Sequence, residues 1–227
     1  MYIIPQTLRG RLKHEYSITL KISRDGRGEV RLTDIQVAKM EEEARKRSER
    51  DFLLIHLLAR RGWRIGAIVG IRKKLHYQRW VDNQKKSREL VEYVVNLPGI
   101  KPEDVYEECV RVHLKGGYTK LDYLPNETAR ALKQYASKVP TGQRIFPITE
   151  RTANYTLVKY ARLAGLPDPD RIHSHRFRHY FATRWARRTG GDKFKVKSLL
   201  GHRSDETVTV YVEDLTPEEE KELLNSA

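Results

Sequence analysis

His175-Arg-Phe-Arg178-His179-Tyr-Phe181-Ala182-Thr183, followed by Leu199-Leu200-Gly201-His202 and then by Tyr211, is the stretch on which the reading of this chain turns. His175 and Arg178 stand three residues apart, which puts both on one face of a helix. Gly201 is placed to stop a second, short helix and expose His202. A His-x-x-Arg pair carries nothing by itself. The chain has three of them (His76/Arg79, His173/Arg176 and His175/Arg178) among 8 His and 44 Lys plus Arg. The order of the whole set carries more. Breaking a phosphodiester without a metal needs a nucleophile, fixed positive donors on the non-bridging oxygens, and a proton for the leaving oxygen. Arginine suits the second task, because its planar fork binds two oxygens and stays charged. Histidine or lysine suits the third. A tyrosine can attack if neighbouring cations lower its ordinary pKa of about 10.

As an ordered whole, the run from His175 to Tyr211 resembles the tyrosine recombinases, which include phage integrases and Xer proteins. The matching residues are His175, Arg178, His179, Phe181, Ala182, Thr183, Leu200, Gly201, His202 and Tyr211. The upstream box Gly62-Trp-Arg64-Ile-Gly-Ala67-Ile-Val-Gly-Ile71 is similar to the family stretch that carries its first catalytic arginine, which makes Arg64 that residue. The glutamate usual in that box is Ala67 here, so its supporting role is absent or moved. The family lysine lies in a β-hairpin, and the matching segment runs from Val112 to Pro125. Lys115 at the turn is the choice, with Lys120 open because the turn is longer than usual.

The resemblance implies a mostly α fold with a small antiparallel β-hairpin, that of the tyrosine recombinase catalytic domain. It implies that Arg64, Arg178 and His202 hold the scissile phosphate and that His175 assists proton transfer. Lys115 would protonate the leaving 5′-hydroxyl, and Tyr211 would form a 3′-phosphotyrosyl intermediate. Lys120, His173, Arg176 and Arg203 are further candidates for DNA contact. No cofactor or metal is called for. The implied partner is double-stranded DNA, held in a tetrameric synapse by a protein that can be a monomer in solution. The implied setting is a mobile element. A type IB-like topoisomerase and a non-catalytic DNA-binding relative remain as alternatives. Tyr211 is one of 12 tyrosines. Its surroundings, Thr207-Val-Thr-Val-Tyr-Val212, favour a strand by propensity, whereas the resemblance implies a short helix.

Outward from these motifs the chain divides into three. Residues 1–30 read as a short appendage with a possible hairpin about Asp25-Gly26. Residues 31–213 read as the catalytic domain, and 214–227 as a tail helix with Pro217 in its first turn. Thr33 with Gln36 is a capping-box start for a helix reaching about Arg47. A second helix carries Phe52 to Leu58 and ends at Gly62. Val110, Val112 and Leu114 alternate as a strand, and Leu121, Tyr123 and Leu124 suggest its return. Helices are expected over about 126–137, 150–163, 175–188 and 192–200. Residues 72–100 read as an insertion rich in Lys, Arg and aromatics, able to supply a DNA contact. Within it Leu90, Val91, Val94 and Val95 suggest a helix stopped by Pro98 and Gly99. Family members usually carry a helical N-terminal domain, and only about 30 residues precede Thr33 here, so the expectation is either a minimal catalytic domain or one from which something was removed.

Composition agrees with a polyanionic partner. The formal charge is +14 over 227 residues, with pI near 9.8, an imbalance that no fold requires. The single cysteine, Cys109, gives neither a disulfide nor a zinc framework. Abundant Arg, Lys and Glu with few thermolabile residues suggests a hot environment. No apolar run is long enough to span a bilayer, and the expected compartment is the cytoplasm.

Overall fold

The computed structural model describes residues 31–80, 88–114, 117–189, 192–200 and Asn225. The expectations for residues 1–30, for Lys115, His202, Arg203 and Tyr211, and for the tail helix lie outside them. Eleven regular elements follow in order. Helices α1 (Asp34–Arg45), α2 (Glu49–Arg61) and α3 (Ile65–Val69) lead into strands β1 (Ile71–Trp80) and β2 (Arg88–Leu97). A short turn of 3₁₀ helix precedes β3 (Cys109–His113) and β4 (Thr119–Tyr123). Helices α4 (Asn126–Ala136), α5 (Glu150–Leu163), α6 (Ser174–Arg188) and α7 (Lys193–Leu199) complete the described chain. The fold is thus mostly helical with two separate antiparallel hairpins, β1–β2 and β3–β4.

Helix α2 is the hub. Phe52 to Ala59 are all buried along it, apolar except for His56, as befits a helix surrounded by others. It packs against α1, α4 and α6. Each full burial of a Leu, Ile or Phe side chain contributes about 1.5–3 kcal/mol, so this helix supplies much of the cohesion. Two of its three buried polar side chains, Asp51 and His56, bond to neighbouring helices. The Tyr160 hydroxyl of α5 donates to Asp51 Oδ2 at 3.0 Å, and the His56 ring bonds Glu41 at 3.0 Å and Thr128 at 2.9 Å. Helix α1 starts on the expected capping box, with Thr33 Oγ1 accepting from Gln36 N–H and Gln36 Oε1 from Thr33 N–H.

Gly62 ends α2 in the left-handed region, at φ 58°, and its N–H donates to Leu58 O. A Cβ there would sit 2.8 Å from the ring of Phe181 on α6. Only glycine lets the chain turn here while α6 packs so closely.

One expectation is overturned. Residues 88–97 form a strand, not a helix, and pair residue for residue with 71–80, from Ile71↔Leu97 to Trp80↔Arg88. The apolar spacing at 90, 91, 94 and 95 also fits a helix face, but the segment is rich in β-branched valine with a ten-residue partner beside it. Cross-strand pairing decides in such cases. Pro98 and Gly99 end the strand. The β3–β4 hairpin forms where expected, but its return strand faces otherwise. Leu121 is half exposed, at 52%, and Asp122 is the residue turned inward, at 4%.

Gly62→Ala is expected to lose about 2–4 kcal/mol in urea unfolding, from the left-handed backbone and the contact with Phe181 together. Wild-type stability in this variant would show that the turn can move.

Candidate active site

The turn after α2 brings distant stretches together. Arg64 stands at the N-terminus of α3, exposed, with its backbone fixed by the bond from Ala67 N–H to Arg64 O. Arg178 on α6 is buried at 8% exposure. Its Nη1 donates to Gly62 O at 2.7 Å and its Nη2 to Leu200 O at 2.9 Å. One guanidinium therefore bridges the turn that carries Arg64 and the end of α7. Both arginines, with Lys120, His113, Asp122 and Leu200, line one small cavity of about 40 Å³. Two wider grooves, of about 670 and 700 Å³, lie elsewhere; the small cavity is where the reactive groups gather.

Positive charge is concentrated at this place. Burial first, and then the Arg64 charge, push the Arg178 guanidinium down to about 10. His175, exposed on the first turn of α6, is held below the ordinary histidine range. Partial desolvation of its ring contributes most, followed by the positive charges of His179, Arg178, Arg176 and Arg64. His175 and His179 meet edge to face at 4.9 Å. Like charges assembled at this density repel one another, and a bound anion relieves them. The shift favours the neutral form of the His175 ring.

The structure adds a residue that the sequence reading missed. Asp122, turned inward from β4, accepts from Arg61 Nη2 at 2.5 Å and from the indole N–H of Trp63, and lies 3.0 Å from Lys120 Nζ. Arg61 is fully buried. Burial raises the Asp122 carboxyl, but Arg61, Lys120 and Trp63 together outweigh it, so its pKa is lowered. Asp122 thus binds the last turn of α2, the residue before Arg64, and the lysine in the cavity. The only available signal was the inward register of β4, which Leu121 and Tyr123 disguised. Ala67, at the position of the family glutamate, is buried in the cavity wall and brings no charge.

The other candidates are placed as follows. Lys120 lines the cavity, partly exposed and paired with Asp122. His173 precedes α6 as its N-cap, half-buried, and desolvation with the Arg176, His175 and His179 charges lowers its pKa. Arg176 is half-buried on α6. Lys115, His202, Arg203 and Tyr211 lie outside the described residues. Tyr160 and Tyr180 donate to Asp51 and Asp34, and both phenols are pushed up to about 12, chiefly by burial. Neither is poised to attack. Cys109 is half-buried, and desolvation, Glu108 and Asp122 raise its thiol. Among the described residues no three His, Cys, Asp or Glu side chains are placed to share a metal ion, and no helix is long and apolar enough to cross a membrane.

This architecture is that of the catalytic domain of tyrosine recombinases. The profile of the Phage integrase family matches residues 94–218, and the chain belongs to that family. The fold is similar to XerA recombinase, with 21% identity, a TM-score of 0.55, and 78% of this chain covering 57% of that one. It is similar to XerH site-specific recombinase bound to difH substrate, with 18% identity, a TM-score of 0.56, and 78% of this chain covering 48% of that one. It is also similar to the integrase of mycobacterium phage Brujita, with 20% identity, a TM-score of 0.55, and 88% of this chain covering 59% of that one. The chain spans about half to three-fifths of the length of these structures. No curated protein matches it.

Asp122→Asn leaves Arg61 without its counter-charge and is expected to lose about 3–5 kcal/mol of stability at pH 7. The carboxyl is depressed in the folded state. Its contribution is therefore complete above the unfolded value of about 3.9 and lost as pH falls below it. Wild type should show that acid loss, and Asp122→Asn should flatten it. Parallel stability curves below pH 4 would contradict the role.

Proposed function

We propose that this protein is a site-specific DNA recombinase that cuts and rejoins strands through a 3′-phosphotyrosyl intermediate. Arg64 and Arg178 hold the non-bridging oxygens of the scissile phosphate, helped by His202. His175 takes part in proton transfer. Lys115 protonates the leaving 5′-oxygen, while Lys120 is held by Asp122 and contacts the phosphate or its neighbour. His173, Arg176 and Arg203 contact the adjoining backbone. Tyr211 attacks phosphorus and releases a 5′-hydroxyl, and a 5′-hydroxyl from a second duplex then displaces the tyrosine. Each step exchanges one phosphodiester for another, so the residues supply position and charge and no external energy is consumed.

The observation that carries this reading is the packing of Arg64, Arg178 and Lys120 around one cavity, from three separate stretches of chain. Fixed cations aimed at a single anion stabilise a phosphorane far better than mobile ones, because they need not reorganise during the reaction. The family supports the chemistry. The XerH relative is bound to its difH substrate, which supports duplex DNA as the partner. A synapse of four protomers and an origin on a mobile element belong to the same proposal.

Purified protein incubated with nicked duplexes carrying its target or flanking sequences, in EDTA, is expected to form a covalent protein–DNA adduct. Tyr211→Phe should abolish it, and Arg64→Ala should slow it by about 10²–10³-fold. An adduct that persists in Tyr211→Phe would overturn the nucleophile. Relaxation of plasmids lacking any target site, with no strand exchange, would assign a topoisomerase instead.

A further inference from the structure

The β1–β2 hairpin plays no part in the proposed reaction, yet it is rooted at the site. Its two ends are pinned by backbone contact: a Cβ on Gly70 would lie 2.8 Å from Pro98 O, and one on Gly99 would lie 2.8 Å from Gly70 N. Ile100 N–H donates to Ile68 O at 3.0 Å, and Arg144 Nη1 donates to Val69 O at 2.7 Å. Leu97, the last residue of β2, lines both the cavity of Arg64 and the 670 Å³ groove beside the hairpin root. Helix α3, which separates Arg64 from Gly70, is five residues long, or roughly 7.5 Å. Groove and cavity can therefore face the same duplex.

The groove is cationic. Arg72, Lys73, Arg144 and Arg151 line it against one carboxylate, Glu150, which Lys73 already engages. On one face of the hairpin the described side chains are exposed. Arg72 and Lys74 stand opposite Asn96 and Val94, all four exposed. Leu90 and Val94 are 70% and 53% exposed on that face. Lys74 pairs with Glu92 at 3.1 Å, but both are exposed, and such pairs contribute little and exchange readily. Two ten-residue strands extend about 33 Å, close to one turn of B-DNA, and a two-stranded ribbon fits the major groove.

We infer that the β1–β2 hairpin is a DNA-gripping arm: the groove at its root holds the duplex backbone beside the scissile phosphate, and the ribbon's open face enters the major groove. This rests on the proposed reading of the chain as a DNA enzyme. Charge favours DNA over a protein occupant, since four cations at the root lie on a chain of net charge +14.

The test uses the full chain and a labelled random-sequence duplex about three helical turns long. Binding of wild type is compared with Arg72→Gln/Lys74→Gln/Arg151→Gln across a salt series. Lys46→Gln/Lys138→Gln/Arg162→Gln is a control of equal charge change. The arm variant should lose about 10–100-fold in affinity near 0.1 M salt, with the slope of log K against log salt shallower by about two to three. The control should keep close to the wild-type slope. Thermal melting of all three proteins shows whether each is folded. Equal slopes in the two variants overturn the arm. So does unchanged DNA binding accompanied by loss of self-association in the arm variant, which would make the hairpin a protein contact. Failure of the enzymatic reading looks different: wild type forms no adduct, while the salt slope still falls as stated. The arm then stands as a DNA contact.

Discussion

The guanidinium of Arg178 is the constraint on which the rest depends. It is buried, it donates to Gly62 O and Leu200 O, and it lies close enough to Arg64 for their charges to repel. A buried guanidinium is costly unless its donors are met. Two of them are spent on backbone carbonyls from opposite ends of the domain. The turn after α2 and the end of α7 are therefore held at one place. Gly62 makes this possible, since its left-handed turn presents the carbonyl while leaving room for Phe181 one turn of α6 further on.

A second constraint sets the charge. Asp122 neutralises the fully buried Arg61 and steadies Trp63 and Lys120, leaving the exposed Arg64 as a cation of the cavity wall that Asp122 does not engage. The Asp122 carboxylate also lines the cavity, but it is buried and already engaged by Arg61, Trp63 and Lys120. The lowered pKa of His175 has partial desolvation as its larger cause and four positive neighbours as the rest. The β1–β2 hairpin extends the same cationic surface from the cavity rim.

Much of this was legible from the residues. Thr33 and Gln36 announced the start of α1, because a capping box is a local, chemical signal. Gly62 announced the end of α2 for the same reason. The ordered set from His175 to Thr183 identified α6 and its arginine through family resemblance, since one His-x-x-Arg pair among three is uninformative. What was missed depends on contacts distant in sequence. Leu90 to Val95 read as a helix because apolar spacing alone does not reveal the strand lying across from it. Asp122 stands between Leu121 and Tyr123 and carries no local signal of burial. Its burial follows from Arg61, 61 positions away, and no local pattern encodes that pairing.

The whole reading rests on two guanidinium groups sharing one phosphorus. The most direct measurement is a crystal structure of the protein on a nicked duplex with orthovanadate, which mimics the pentacoordinate phosphorane at the nick. Expected is a vanadate whose equatorial oxygens are bonded by Arg64 and Arg178, with a tyrosine oxygen at one apex. A vanadate bound away from these two arginines, or an apex occupied by water while the tyrosine lies elsewhere, would contradict it.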